Sequence, residues 1–313
     1  MTEGSFDIAD LVYGKVVFVT GKGGVGKTSV SAALARLAAA QGRRVLLVEV
    51  DSQRSALAPL FGVEVGFEPT KATDNLWLCN IDWYNALHEW IERVVPSRRV
   101  VDMILDNRIV RLFLDATPGN REVVTLSKIN WLRPDYDLIV VDLPASGHAT
   151  ALMHSPGVTL ELFRVGPIYQ RSLESQALLH ADGTHLVLVA LPEEMVVNET
   201  VETWKKLNRQ VPGLSVPLVV LNRSSRPSLS ADERLLLQRL SEQNPDGPEA
   251  ELLLAGRWES RLEVATGRAM ERVEREIPIS LIDVPRLSQE KGSAHLVRNL
   301  AAALARRSRR GLQ

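Results

Sequence analysis

The sequence predicts an α/β fold: a doubly wound, mostly parallel sheet of about seven strands flanked by helices, with a helical lobe inserted into it. Three observations carry that prediction. From Lys15 onward, short β-branched runs alternate with longer helical patterns, the order that gives parallel strands joined by crossover helices. Most of the runs are apolar at consecutive positions, as strands covered on both faces require. The first run also leads through a glycine-rich turn straight into an Ala-rich helical stretch.

Strands are expected at 16–20, 45–50, 76–81, 138–142, 185–191, 216–221 and 277–284. Helices are expected at 28–40, with Gly42 as a C-cap, and at 193–209, 230–243, 249–274 and 294–307. Two stretches interrupt the alternation. In 82–116, Trp83, Leu87, Trp90, Ile91 and Val94 stand at helical spacing, followed by Val101, Ile104, Leu105, Ile109, Leu112 and Phe113. In 152–181, Leu162, Phe163, Val165, Ile168 and Tyr169 repeat the pattern. Both are assigned to the inserted lobe of one domain spanning 1–313, and 244–248 to a surface loop.

With 37 Lys and Arg against 38 Asp and Glu, the chain has no long-range field to draw it to nucleic acid or an acidic membrane. Its one basic run, Arg306, Arg307, Arg309 and Arg310, reads as solvated cations suited to the negative end of the last helix. A single cysteine, Cys79, forms neither an internal disulfide nor a thiolate cage alone. No basic segment followed by an apolar one opens the chain, and no apolar run reaches the roughly 18 residues of a membrane span. A cytoplasmic protein, not integral to a membrane, is expected.

The segment Gly21-Lys22-Gly23-Gly24-Val25-Gly26-Lys27-Thr28 satisfies G-x-x-x-x-G-K-[ST] between a strand and a helix, the context in which that P-loop motif binds nucleotide. Glycines let successive backbone N–H groups converge on phosphate oxygens, and the helix N-terminus favours the anion. Lys27 is expected on the β and γ phosphates of ATP and the Thr28 hydroxyl on Mg²⁺, with Ser29 completing the binding set. Asp51, where the second strand ends, suits orientation of the attacking water and contact with the Mg²⁺ shell. It would equally suit an N-cap for a helix over 53–61. Asp142 closes the apolar run 138–142 in the manner of a Walker B carboxylate and is expected to hold Mg²⁺.

Lys22 makes the loop K-G-G-x-G-K-T, which resembles the deviant P-loop ATPases that form nucleotide-sandwiched dimers. That resemblance implies that Lys22 enters the partner's site as a cation supplied in trans, in the role of an arginine finger; a solvated loop lysine is the alternative. After Asp142 the chain reads Leu143-Pro144-Ala145-Ser146-Gly147-His148-Ala149-Thr150-Ala151-Leu152. This is similar to D-x-x-P-[ST]-G-H-x-x-x-L in the family of arsenite-pump and tail-anchored-protein targeting ATPases, with the proline one position nearer the aspartate. Partition and septum-site ATPases lack the Gly-His step. The likeness continues at Thr117-Pro118-Gly119-Asn120-Arg121-Glu122, at Leu191-Pro192-Glu193 with Glu199-Thr200, at Leu221-Asn222-Arg223 and at Asp283-Val284-Pro285, and so spans nearly the whole chain.

The resemblance implies that Asn222 bonds adenine, that Val284 and Pro285 line the base pocket, and that Gly147 and His148 form a nucleotide-sensing switch. A turn-forming Asn222 and a His148 that only caps a hinge are the alternatives. The departures matter too. The family's first switch reads D-P-A-H-S, whereas this chain has Asp51-Ser52-Gln53-Arg54-Ser55. The zinc-sharing C-x-x-C pair is absent, so no structural zinc is expected. Soft As(III) needs several thiolates, and the chain has one thiol and one P-loop, so arsenite efflux is not expected. The resemblance implies Mg²⁺-dependent ATP hydrolysis by a homodimer, or a heterodimer with a paralogue, in which the lobe binds the hydrophobic helix of a membrane-protein client. The lobe's apolar stripes would equally be ordinary core packing. An interaction switch, acting with a paralogue on an envelope or metabolic partner, is the second reading. A partition ATPase on nucleic acid or membrane is disfavoured by Gly147-His148 and the neutral charge.

Overall fold

The computed structural model describes residues 6–95, 117–225, 228–242, 248–287 and 292–308, with isolated positions between 97 and 112. Its strands are β1 (Val16–Gly21), β2 (Val45–Val50), β3 (Thr70–Thr73), β4 (Leu76–Ile81), β5 (Leu138–Asp142), β6 (Thr184–Ala190), β7 (Leu218–Ser224) and β8 (Ser280–Pro285). Its helices are α1 (Ile8–Val12), α2 (Lys27–Ala40), α3 (Ala58–Phe61), α4 (Trp83–Val94), α5 (Asn120–Leu132), α6 (Ser146–Leu162), α7 (Pro167–Leu179), α8 (Glu194–Gln210), α9 (Ala231–Glu242), α10 (Pro248–Glu276) and α11 (Ser293–Arg307).

The strands form one eight-stranded sheet in the order β3-β4-β2-β5-β1-β6-β7-β8. Every neighbouring pair is parallel except β3 with β4. Strands β1, β2 and β5 are buried at every position, which is why their sequences run apolar without alternation. Helix α2 lies on this sheet with Ala32, Ala33, Ala35 and Ala38 buried, small residues that favour helix and allow close approach to the strands. The chain leaves β1 toward β2 on one side, whereas β6 lies on the other. The crevice for a ligand therefore opens at the carboxyl end of β1, where the connections diverge.

Strand β3 adds an eighth to the expected seven. Its sequence, Thr-Lys-Ala-Thr, is mostly exposed and carries no apolar period; a turn holding Asn75 at φ 60° folds it back on β4. Strand β7 begins at Leu218 rather than at 216, after Pro217, which has no N–H for the ladder. Residues 277–279 belong to the descent from α10, with the Ile277 N–H on the Val273 carbonyl, so β8 starts at Ser280. Helix 53–61 shrinks to α3. Arg307 is not a solvated cation: its guanidinium donates to the Asp283 carboxylate and carbonyl. Arg309, Arg310 and 244–247 of the expected loop lie outside the described residues.

Helices α4, α5, α6 and α7 pack on one another. Helix α5 was not among the expected elements. Its Lys128 is buried, reaches Glu89 of α4 at 2.6 Å and covers the Phe67 ring, so a charged side chain sits where an apolar one would mark the buried face. Between α6 and α7 the Thr159 and Ser172 hydroxyls share a hydrogen bond of 2.6 Å. Of the second apolar set, Val101 is buried and Leu112 exposed; Ile104, Leu105, Ile109 and Phe113 lie outside the described residues. Helix α9 packs on α10, whose buried residues Glu263, Thr266, Ala269 and Val273 all fall in its second half.

Candidate active site

The glycine-rich loop runs from the end of β1 into α2. At Gly21, φ is 153° and an added Cβ would stand 2.1 Å from the Val189 carbonyl oxygen, so β1 can press against β6 only with glycine there. At Gly26, φ is 93° and a Cβ would meet the Asn222 amide nitrogen at 2.5 Å. Gly26 is also the N-cap of α2 and supplies no side-chain cap. The first N–H groups of α2 are thus left for an external anion, which the helix dipole also favours.

Around this loop the structure brings together Lys27, Thr28, Asp51, Asp142 and His148, with Arg121, Glu122 and Thr125 of α5, on one cleft of about 630 Å³. The Thr28 hydroxyl donates to Asp142 Oδ2 at 2.6 Å and the Ser31 hydroxyl to Oδ1 at 3.1 Å. Ser31, one turn into α2, escaped the sequence reading because it falls outside the motif. Burial raises the Asp142 carboxyl to about 6, against the hydrogen bonds from Thr28 and Ser31 and the charge of Lys27. Burial also lowers the Lys27 pKa, and its ammonium donates to the Lys22 carbonyl at 3.1 Å. Both groups gain when a charge of the opposite sign enters.

Asp51 has φ 49° and its Oδ1 accepts the Trp83 N–H at 2.9 Å. It therefore joins the loop after β2 to the start of α4 and does not cap a helix over 53–61. Partial burial raises its pKa. The Arg121 guanidinium stands over the Trp83 ring at 4.4 Å, beside the same junction. His148 and Gly147 are exposed in the first turn of α6, immediately beyond Asp142 and Pro144.

Lys22 lies apart from this group. Its ammonium is 3.3 Å from Glu199 of α8, and the other oxygen of Glu199 accepts the Ser146 hydroxyl at 2.6 Å. Glu199 thus ties the loop lysine to the first residue of α6. The sequence marked Glu199 only through the family likeness, since nothing local pairs positions so far apart in the chain.

A second cleft, of about 700 Å³, adjoins the loop and is lined by Gly26, Ser29, Asn222, Arg223, Pro285, Arg286 and Leu287, with Leu262 of α10. The Asn222 amide donates to the Val25 carbonyl at 2.8 Å and its oxygen accepts the Arg223 N–H at 3.0 Å. That leaves one donor and one lone pair of the amide uncommitted. Val284 is fully buried. The alternation of β8 turns it to the core, so the lining here comes from Pro285, Arg286 and Leu287 instead.

The residues present fit a Mg²⁺-nucleotide. The loop leaves backbone donors and Lys27 for the phosphates, and Thr28 and Asp142 converge within hydrogen-bond reach. Among the described residues no group of three or more His, Cys, Asp or Glu side chains stands ready to hold a metal alone, and Mg²⁺ in such sites takes one or two protein ligands plus phosphate oxygens. Residues 14–170, half the chain, match the family described as anion-transporting ATPases. The chain is 32% identical over 253 residues to the ATPase BagA of Mycobacterium tuberculosis, covering 76% of this chain and 73% of that one. It is 28% identical over 231 residues to an arsenical pump-driving ATPase of Escherichia coli, covering 66% of this chain and 39% of the pump protein.

Proposed function

The chain belongs to the anion-transporting ATPase family and is an ATP-hydrolysing enzyme; from that premise we propose that it hydrolyses Mg²⁺-ATP as a nucleotide-sandwiched dimer and couples hydrolysis to binding of hydrophobic segments. The loop N–H groups and Lys27 hold the phosphates, and Thr28 with Asp142 hold Mg²⁺, which neutralises charge on the phosphate oxygens when bound. Asp51 keeps one carboxylate oxygen for the attacking water while the other rests on the Trp83 N–H.

The observation that carries the reading is the position of Lys22. Its pair with Glu199 has both side chains more than a third exposed, at 37% and 35%, and such pairs are worth about 0–1 kcal/mol. The triphosphate of a second chain, presenting several negative charges, outcompetes one screened carboxylate for that lysine. On the lobe, Leu162 and Val165 stand exposed at the turn from α6 to α7, and Leu173 midway along α7, apolar surface suited to a client helix. The second reading, a switch acting with a paralogue on a folded partner, is favoured by different surface: Leu252, Leu254 and Trp258 exposed on the first half of α10.

Two substitutions test the site. Lys27→Ala should lose productive ATP binding, whereas Lys22→Ala should keep binding and slow hydrolysis by ~10³-fold, by analogy with a cation supplied in trans. Calorimetric titration and phosphate release measure the two effects, and a fully active Lys22→Ala protein would defeat the trans role. Capture from cell extract by Asp51→Asn, with and without ATP, separates the readings of the surface. Membrane proteins with one hydrophobic helix support the client reading; a paralogue or a folded partner alone supports the switch.

A further inference from the structure

Strand β2 reads Val-Leu-Leu-Val-Glu-Val, and its one charged residue, Glu49, is 1% exposed. A buried carboxylate without a cation is costly, so its contacts decide what it is for. Oε2 accepts the backbone N–H of Ala56 at 3.0 Å and that of Leu57 at 3.4 Å. Both donors belong to the loop that begins at Asp51. Among the described residues Oε1 is buried with no hydrogen-bond partner, so this loop supplies the hydrogen bonds the side chain accepts. The strand register sets Glu49 beside Asn80 of β4 and Asp142 of β5, all facing one side of the sheet. Asn80 grips the same loop nearer its start, accepting the Ser52 N–H at 3.2 Å and donating to the Ser52 carbonyl at 2.8 Å.

The loop is therefore pinned at Ser52 by one strand and at Ala56 and Leu57 by the next, with Gln53 and Arg54 exposed between. We propose that Glu49 is a positioning residue for ATP hydrolysis: by accepting the Ala56 and Leu57 N–H groups it fixes the far end of the Asp51 loop, and so holds Asp51 at the phosphate cleft. This rests on the reading of Asp51 as the residue that orients water. The side chain acts through reach and acceptor geometry. Glutamine keeps both, whereas aspartate keeps the charge and loses the reach.

The test compares Glu49→Gln, Glu49→Asp and Glu49→Ala in the full chain by ATP affinity, kcat and the rate of tryptic cleavage after Arg54. Loosening one end of the loop should raise cleavage about tenfold in the Asp and Ala variants, as local opening becomes easier. The same variants should bind ATP as the native chain does and lose about 10- to 100-fold in kcat, the scale of a misplaced catalytic group. Glu49→Gln should stay within about threefold of the native chain in all three measures, since its acceptor survives. A Gln variant as impaired as Ala would overturn the proposal in favour of charge. Unchanged cleavage at Arg54 in the Asp and Ala variants would overturn the clamp itself. Native kcat in Asp51→Asn would instead overturn the reading of Asp51, and with it the catalytic half of the proposal, leaving the clamp to the cleavage rates.

Discussion

Asp142 shows how a buried site carboxylate couples to pH. Burial raises its pKa from 3.8 to about 6, so between those values the folded chain keeps a proton that the unfolded chain has lost. Stability from this group is fully present below the unfolded value and is lost as pH rises through about 6. In the absence of nucleotide and Mg²⁺, Asp142→Asn, which cannot ionise, should therefore gain on the native protein as pH rises from 4 to 7. Urea midpoints at intervals across that range measure the difference, and a flat difference would contradict the assignment. The Asp142 site was legible because an apolar run ending in aspartate, paired with a P-loop threonine, is a local pattern. No local pattern marked Ser31, Glu49 or Glu199: Ser31 meets Asp142, and Glu199 meets Lys22 and Ser146, across the fold, while Glu49 accepts backbone N–H groups that any residues but proline would offer at 56 and 57.

Among the elements, β7 and the phosphate loop are joined by one side chain. The Asn222 amide satisfies the Val25 carbonyl, and Gly26 must lack a Cβ to let it approach. Asn222→Ala leaves that carbonyl without its donor, at a cost of about 1–3 kcal/mol for a buried group, readable as a lowered denaturation midpoint. If the uncommitted donor and lone pair also read adenine, the variant loses its preference for ATP over GTP. A destabilised variant with unchanged preference would reduce Asn222 to an anchor of the loop. The strands around this joint were legible because each is a short apolar run buried on both faces. The edge strand β3 and helix α5 were not, the first for lack of any apolar residue beyond Ala72 and the second because buried Lys128, Thr125 and Ser127 break its apolar face. The helix expected over 53–61 kept only its last turn, α3, and gave way before it to a loop held by side chains of two neighbouring strands.

In the whole molecule, a phosphate cleft built from β1, β5 and α2 stands beside a packed group of four helices, and Leu262 of α10 lines the second cleft that adjoins the loop. Glu199 lies where these parts meet, bonding the loop lysine and the start of α6 together. A second chain that drew Lys22 away would leave Glu199 held by the Ser146 hydroxyl alone, at the start of α6, which continues into the exposed apolar turn at Leu162 and Val165. That exchange depends on a second copy completing the site, as self-complementary pairing about a two-fold axis allows. The most direct test is the specific rate of Mg²⁺-ATP hydrolysis across protein concentration. The account predicts a rate per chain that climbs with concentration to a plateau and nearly vanishes in Lys22→Ala; a rate per chain that stays constant on dilution, with Lys22→Ala fully active, would contradict it.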